Sequence, residues 1–208
     1  MLIEEIFPVQ LGIYPSKLSL PQLNTLGYLS ASHNLPPLLD TVQKSHHGRN
    51  FLDNPAYVEL RTFILESSSH FLVNTFGTTN TLIVSNSWLN SSLASASQAF
   101  HSHTNSLISG TFYISFDPSI HPSLILRHPR PLCSFSSYED LPIIPTAFNS
   151  PLYKPSYKQG DLLLWPSYLE HGFFSSPVPS KSTVPRITLS FNLNIAFTLL
   201  HSYSLVFS

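Results

Sequence analysis

RITLSFNLN, residues 186–194, is the stretch whose reading decides the fold of this 208-residue chain. Arg186, Thr188, Ser190 and Asn192 alternate with Ile187, Leu189, Phe191 and Leu193. A period of two means a β-strand with one polar and one apolar face. Two readings fit such a strand. It can lie at a sheet edge with its polar face in water, or it can line a pocket where an Arg fork grips a carboxylate and a hydroxyl two residues on adds a second donor.

Upstream of this run, from Gly77 onward, short β-branched and aromatic runs are separated by Ser, Pro and Asn, the pattern of strands joined by turns. The strands predicted are Thr81–Ser85, Ala99–His103, Leu107–Phe116, Ser123–Arg127, Asp161–Trp165, His171–Phe174 and Arg186–Ile195. Seven strands suit a sandwich or jelly roll. Before Gly77 the period changes. Ser19, Leu20 and Pro21 open a helix carrying Leu23, Leu26 and Leu29, and Asn54 with Pro55 opens a second that carries Tyr57, Leu60, Ile64 and Phe71 to about Phe76. Both stripes read as core packing. Pro129–Pro155 is Pro-rich and weakly patterned and is predicted to be a long loop, with Phe135, Tyr138 and Phe148 available to line a site or to pack the loop down. The expectation is a single mainly-β domain over 1–208, with a helical part at 1–80, a core at 81–195 and a strand or tail at 196–208.

Composition narrows the function classes. Ten Lys and Arg against 11 Asp and Glu give a net charge of −1, so no basic face is available to track a phosphate backbone and nucleic acid is not expected as a partner. Cys133 is the single cysteine, which excludes an internal disulfide and thiolate zinc sites and fits a reducing, cytoplasmic compartment. Met1–Phe7 carries Glu4 and Glu5 where a secretory signal would be basic, and it is expected to belong to the fold. No membrane span is expected either, because Ile195–Phe207 falls short of about 20 apolar residues and is broken by His201, Ser202 and Ser204.

His101 and His103 stand two apart, so on a strand both imidazoles point to one side and could reach one metal. With 10 histidines in the chain, two neighbours on a wet face is the plainer alternative. His171 ends the segment GDLLLWPSYLEH from Gly160, where an apolar strand reaches Trp165 and turns at Pro166. Taken alone it fits a packed core histidine as well as a ligand.

Taken together, SWLN from Ser87, QAFHSHTNSLISGTFYISFDP from Gln98, RHPRP from Arg127, GDLLLWPSYLEH and RITLSFN resemble a 2-oxoglutarate/Fe(II) oxygenase family found in cyanobacteria, marine bacteria and their phages. That family shows an HxH strand, a late FPSWLxH segment and a closing RxSxSFN strand. EEIFPVQLGIY and LDNPAYVELRTFI are similar to its N-terminal half. The resemblance implies a double-stranded β-helix of the jelly-roll or cupin-like kind with helices packed on the sheet. It implies iron(II) at His101, His103 and His171, and 2-oxoglutarate held by Arg186 and Thr188, with Tyr113 and Asn105 as further contacts. The implied reaction consumes 2-oxoglutarate and O₂ and hydroxylates a substrate that the resemblance does not name.

The usual iron triad of such enzymes has a carboxylate two residues after the first histidine, where this chain has His103. Either three imidazoles bind, or His103 stands behind the metal and a carboxylate such as Asp117 approaches from elsewhere, or the enzyme has diverged from the family's site. Glu170, as the strand neighbour of His171, should face away. Two other functions remain open at this level. One is a jelly-roll binding module without catalysis, and the other is a three-His iron dioxygenase that needs no 2-oxoglutarate.

Overall fold

The computed structural model describes residues 8–31, 44–46, 50–129, 146, 150–175 and 183–196. In chain order the elements are β1 (Gly12–Pro15), α1 (Leu20–Ala31), β2 (Lys44–His46), α2 (Val58–Phe76), β3 (Leu82–Ser92), β4 (Gln98–His101), β5 (Ile108–Ser115), β6 (Ile125–Arg127), β7 (Leu152–Tyr153), β8 (Asp161–Pro166), β9 (His171–Phe173) and β10 (Arg186–Ile195). Short 3₁₀ turns at Phe51–Asp53 and Pro55–Tyr57 lead into α2. The Asn54 side chain accepts the Ala56 N–H at 3.0 Å, as a helix-start residue should. Gly77, at φ 67°, stops the helix in the left-handed conformation, and its N–H donates to the Val73 carbonyl.

The strands form two antiparallel sheets, a larger one in the order β1-β8-β5-β10-β3-β2 and a smaller one in the order β4-β9-β6-β7. Together they make the double-stranded β-helix anticipated above, with the helices on one face of the larger sheet. Strand β10 is central. It pairs with β3 on one side and β5 on the other, so its polar face is walled in rather than wet. Arg186, Thr188, Ser190 and Asn192 are all buried.

The alternation therefore separates two interiors. Ile187, Leu189, Phe191 and Leu193 join Ile108, Phe112, Leu162 and Leu164 in one apolar core, closed by Leu23 and Leu26 of α1 and by Leu60, Ile64 and Phe71 of α2. On the opposite face Tyr113, Leu163 and Trp165 pack with Leu124, Leu126 and Leu169 from around the smaller sheet. The polar row of β10 lies between those two sheets.

Several boundaries differ from the sequence reading. Strand β3 runs on through Ser92 rather than stopping at Ser85, because Ser87–Ser92 finds its partner in β10, a hundred residues away. Strand β4 stops at His101, so His103 lies beyond the strand rather than in it. The short strands β1, β2 and β7 were not anticipated, and β7 lies inside the expected loop Pro129–Pro155. Two- to four-residue strands carry too little periodicity to read. Most of that loop, Met1–Phe7 and the tail from residue 197 lie outside the described residues. No described helix is long and apolar enough to cross a membrane.

Candidate active site

Histidines 101 and 171 are brought opposite each other by pairing. His101 closes β4, His171 opens β9, and the two are register partners. Gly172 makes the approach possible, since a Cβ there would stand 2.7 Å from the Gln98 carbonyl oxygen and 3.1 Å from the Phe100 nitrogen. Beyond β4 the chain is held by the His103 N–H, which donates to the Ser167 carbonyl at 2.9 Å. His103 thus turns back toward the pair. The ring centroids of His101 and His171 are 4.4 Å apart, and His103 lies 5.1 Å from the first and 5.2 Å from the second. One ligating nitrogen from each of the three falls within 4.8 Å of the others.

The hydrogen bonds of two rings fix their tautomers. His101 Nδ1 is 2.9 Å from the Ala99 carbonyl oxygen and His171 Nδ1 is 3.1 Å from that of Leu169. A nitrogen facing a carbonyl must donate, so Nδ1 carries the hydrogen and the Nε2 lone pair is free. Burial pushes the His171 imidazole down to about 3, against an opposing pull from the Leu169 carbonyl. Burial, with the His101 ring adding to it, pushes His103 down to about 4. Both are neutral near pH 7, the form in which imidazole binds a metal.

These rings form one side of a pocket whose opposite wall is the polar face of β3, β5 and β10. Asn90 Nδ2 donates to Ser190 Oγ at 2.9 Å and lies 3.4 Å from Thr188 Oγ1. Thr111 and Ser190 share a hydrogen bond of 2.9 Å. At the other end of the wall Arg186 is 3 % exposed, its guanidinium carbon 4.8 Å from the Phe173 ring centre and 5.3 Å from that of Tyr113. The Tyr113 hydroxyl stands 3.5 Å from an Arg186 nitrogen, and burial keeps it well above the usual phenol range.

Of the seven residues singled out in the sequence, His101, His103, His171, Arg186 and Thr188 all line this pocket, and Tyr113 stands beside the guanidinium. Asn105 does not join them. It is exposed, and its carbonyl accepts from Asn194 Nδ2. The two carboxylates considered as substitutes are engaged elsewhere, Asp117 with Ser119 of its own turn and Glu170 with Arg127 at 2.8 Å. No carboxylate lines the pocket among the described residues. Trp88, Asn90, Gln98, Ser109, Thr111, Trp165, Ser190 and Asn192 also line the pocket or touch its histidines and were not singled out. A signal existed for Ser190 and Asn192, which share the Arg186 face of the alternating run.

A family model described as "Putative 2OG-Fe(II) oxygenase" matches residues 86–192, just over half of the chain. The chain belongs to this oxygenase family. It is accordingly an enzyme of the iron(II)- and 2-oxoglutarate-dependent class. Solved structures share the oxygenase fold at low identity. HygX from Streptomyces hygroscopicus, solved with nickel, 2-oxoglutarate and hygromycin B, is 11% identical with a TM-score of 0.59 over 91% of this chain and 84% of its own. The epimerase SnoN from nogalamycin biosynthesis is 11% identical with a TM-score of 0.62 over 90% and 79%. A Pseudomonas putida prolyl-4-hydroxylase is 9% identical with a TM-score of 0.59 over 91% and 94%. No curated protein matches the oxygenase. The donor set suits the implied cofactor, since three neutral imidazoles converge and imidazole is a good ligand for iron.

Proposed function

We propose that the oxygenase hydroxylates a substrate C–H bond, with iron(II) held by Nε2 of His101, His103 and His171 and the distal carboxylate of 2-oxoglutarate held by Arg186 and Thr188. The observation that carries this reading is that a buried guanidinium and three converging imidazoles line one pocket. When bound, iron(II) supplies the redox chemistry by which 2-oxoglutarate, O₂ and R–H become succinate, CO₂ and R–OH. The chain's own share is positioning. Arg186 offers a fork to one carboxylate, and the Phe173 and Tyr113 rings hold that fork in place. Tyr113 stays protonated and can donate. Asn105, exposed and outside the pocket, has no part in this scheme.

His103 needs a donor arrangement of its own, and Asn192 supplies it. Asn192 Nδ2 lies 3.3 Å from His103 Nδ1, and Ser109 Oγ lies 2.7 Å from Asn192 Oδ1 and 2.8 Å from Ser167 Oγ. Each serine hydroxyl can donate or accept, so this network fits either orientation of the Asn192 amide. With the amide turned over, Nδ2 donates to Ser109, Ser109 donates to Ser167, and Oδ1 accepts from His103 Nδ1–H. The Nε2 lone pair is then free on all three rings.

A three-His dioxygenase that needs no 2-oxoglutarate is favoured by the imidazoles but gives the buried Arg186 no task. Anaerobic titration separates the two. Iron(II) with 2-oxoglutarate should produce a weak visible charge-transfer absorption in the wild type and none in His171→Ala. Arg186→Ala should still bind iron(II) yet lose the 2-oxoglutarate-dependent band. Unaltered turnover of the enzyme without 2-oxoglutarate would sink the proposal.

A further inference from the structure

Trp165 is 1 % exposed, lines the pocket, and has no hydrogen-bond acceptor for its Nε1–H among the described residues. Buried donors are almost always satisfied, and this one belongs to a residue that lines the pocket.

The register shows which end of the pocket Trp165 serves. It stands opposite Ser109 on β5, and Ser109 stands opposite Asn192 on β10, the residue that reaches His103. Its ring also meets His171 edge-on at 4.8 Å. Trp165 is therefore at the histidine end, while Arg186 meets Phe173, two residues beyond His171 on β9 and so about 7 Å along that strand, a span that a five-carbon dicarboxylate can bridge. A 2-oxoglutarate dianion bridging these ends brings two carboxylates. Arg186 answers one of them, and the second arrives at the histidine end, where no protein carboxylate lines the pocket among the described residues to repel it.

We infer that the Trp165 indole N–H donates to the keto-acid head of 2-oxoglutarate, opposite the carboxylate gripped by Arg186. This rests on the cosubstrate reading above. Trp165 becomes a cosubstrate-binding residue that grips the metal-side end of the molecule without ligating the metal.

The chain has two tryptophans, Trp88 and Trp165, and both line the pocket, so ¹⁵N-indole spectra of the zinc-loaded enzyme should show two resonances, assigned with Trp88→Phe. Adding 2-oxoglutarate should move the Trp165 resonance downfield as its N–H gains a charged acceptor. Trp165→Phe should bind zinc as the wild type does and 2-oxoglutarate about 10- to 100-fold more weakly, the scale of a hydrogen bond to a charged group. The metal-free Trp165→Phe protein should melt no lower than the wild type, because the leftover donor is gone. A Trp165 resonance unmoved by bound 2-oxoglutarate, or a variant with undiminished affinity for it, overturns the inference alone. Wild-type enzyme that fails to bind 2-oxoglutarate at all overturns the cosubstrate reading and the inference with it.

Discussion

The two faces of the larger sheet are made by the same strands yet obey different rules. On the helix side, β10 contributes Ile187, Leu189, Phe191 and Leu193 to a continuous apolar core. On the pocket side, the residues between them are Arg186, Thr188, Ser190 and Asn192, also buried but tied into hydrogen bonds with Tyr113, Asn90, Thr111, Ser109 and His103. Burial alone thus does not distinguish core from site. What distinguishes them is whether the buried atoms need partners, because apolar burial stabilises without direction whereas buried polar groups demand specific geometry. One face holds the molecule together, and the other fixes polar side chains around a pocket.

The contrast is tested most strongly at Phe112, which is fully buried on the helix side against Phe63. Phe112→Ala should cost about 3–5 kcal/mol of stability, read as a lower urea midpoint, while folded protein keeps its metal affinity. A variant that loses metal binding with its stability intact would show that the two faces are not separable.

On the pocket side the expected pattern reverses. Asn192→Leu should weaken metal binding by about 10- to 100-fold, as loss of a residue behind a metal ligand typically does, with a smaller shift in the urea midpoint than Phe112→Ala. Asn192→Asp can still accept from His103 Nδ1–H and should retain most of the affinity. Equal affinity in the Leu and Asp variants would remove Asn192 from the site.

The smallest effect expected is a slope with pH. His121, 3 % exposed near the Arg186 end, accepts the Asp117 N–H at Nδ1 and donates from Nε2 to the Val184 carbonyl, each at 2.9 Å. Burial holds this imidazole below its usual range, the Val184 carbonyl opposes that, and the Arg186 charge reinforces it. The unfolded chain takes up a proton near about pH 6.5 and the folded one does not, so stability is complete above that pH and drains away as pH falls. In metal-free protein the urea midpoint should decline from pH 7 to 5, less steeply in His121→Gln. Some slope should survive in the variant, because His103 and His171 are also held neutral. A midpoint flat with pH in the wild type would contradict this account.

How much of this was legible in the sequence depended on the range over which each feature is determined. The two helices and the alternation of β10 are local patterns and were readable, and the run of short strands pointed to the jelly-roll class. His101, His103, His171 and Arg186 were readable only as a set of motifs in order, since each alone has a commoner, inert explanation. Asn90, Gln98 and Trp165 carried no signal that could be separated from packing. Half of β3 was missed because Ser87–Ser92 is polar by composition and becomes a strand through pairing with β10.

By itself, then, the sequence determined which residues alternate, where helices start and stop, and that imidazoles and a guanidinium were on hand in a recognisable order. The tertiary structure decided that the polar face of β10 is an interior wall rather than a wet edge, that His101 faces His171 across a register pair with Gly172 allowing the approach, and that Trp165 lines the same pocket. The physical reason is one of distance along the chain. Periodicity is written into neighbouring residues, whereas the pairing that turns a face inward joins segments tens to a hundred positions apart, and only the folded chain contains that information.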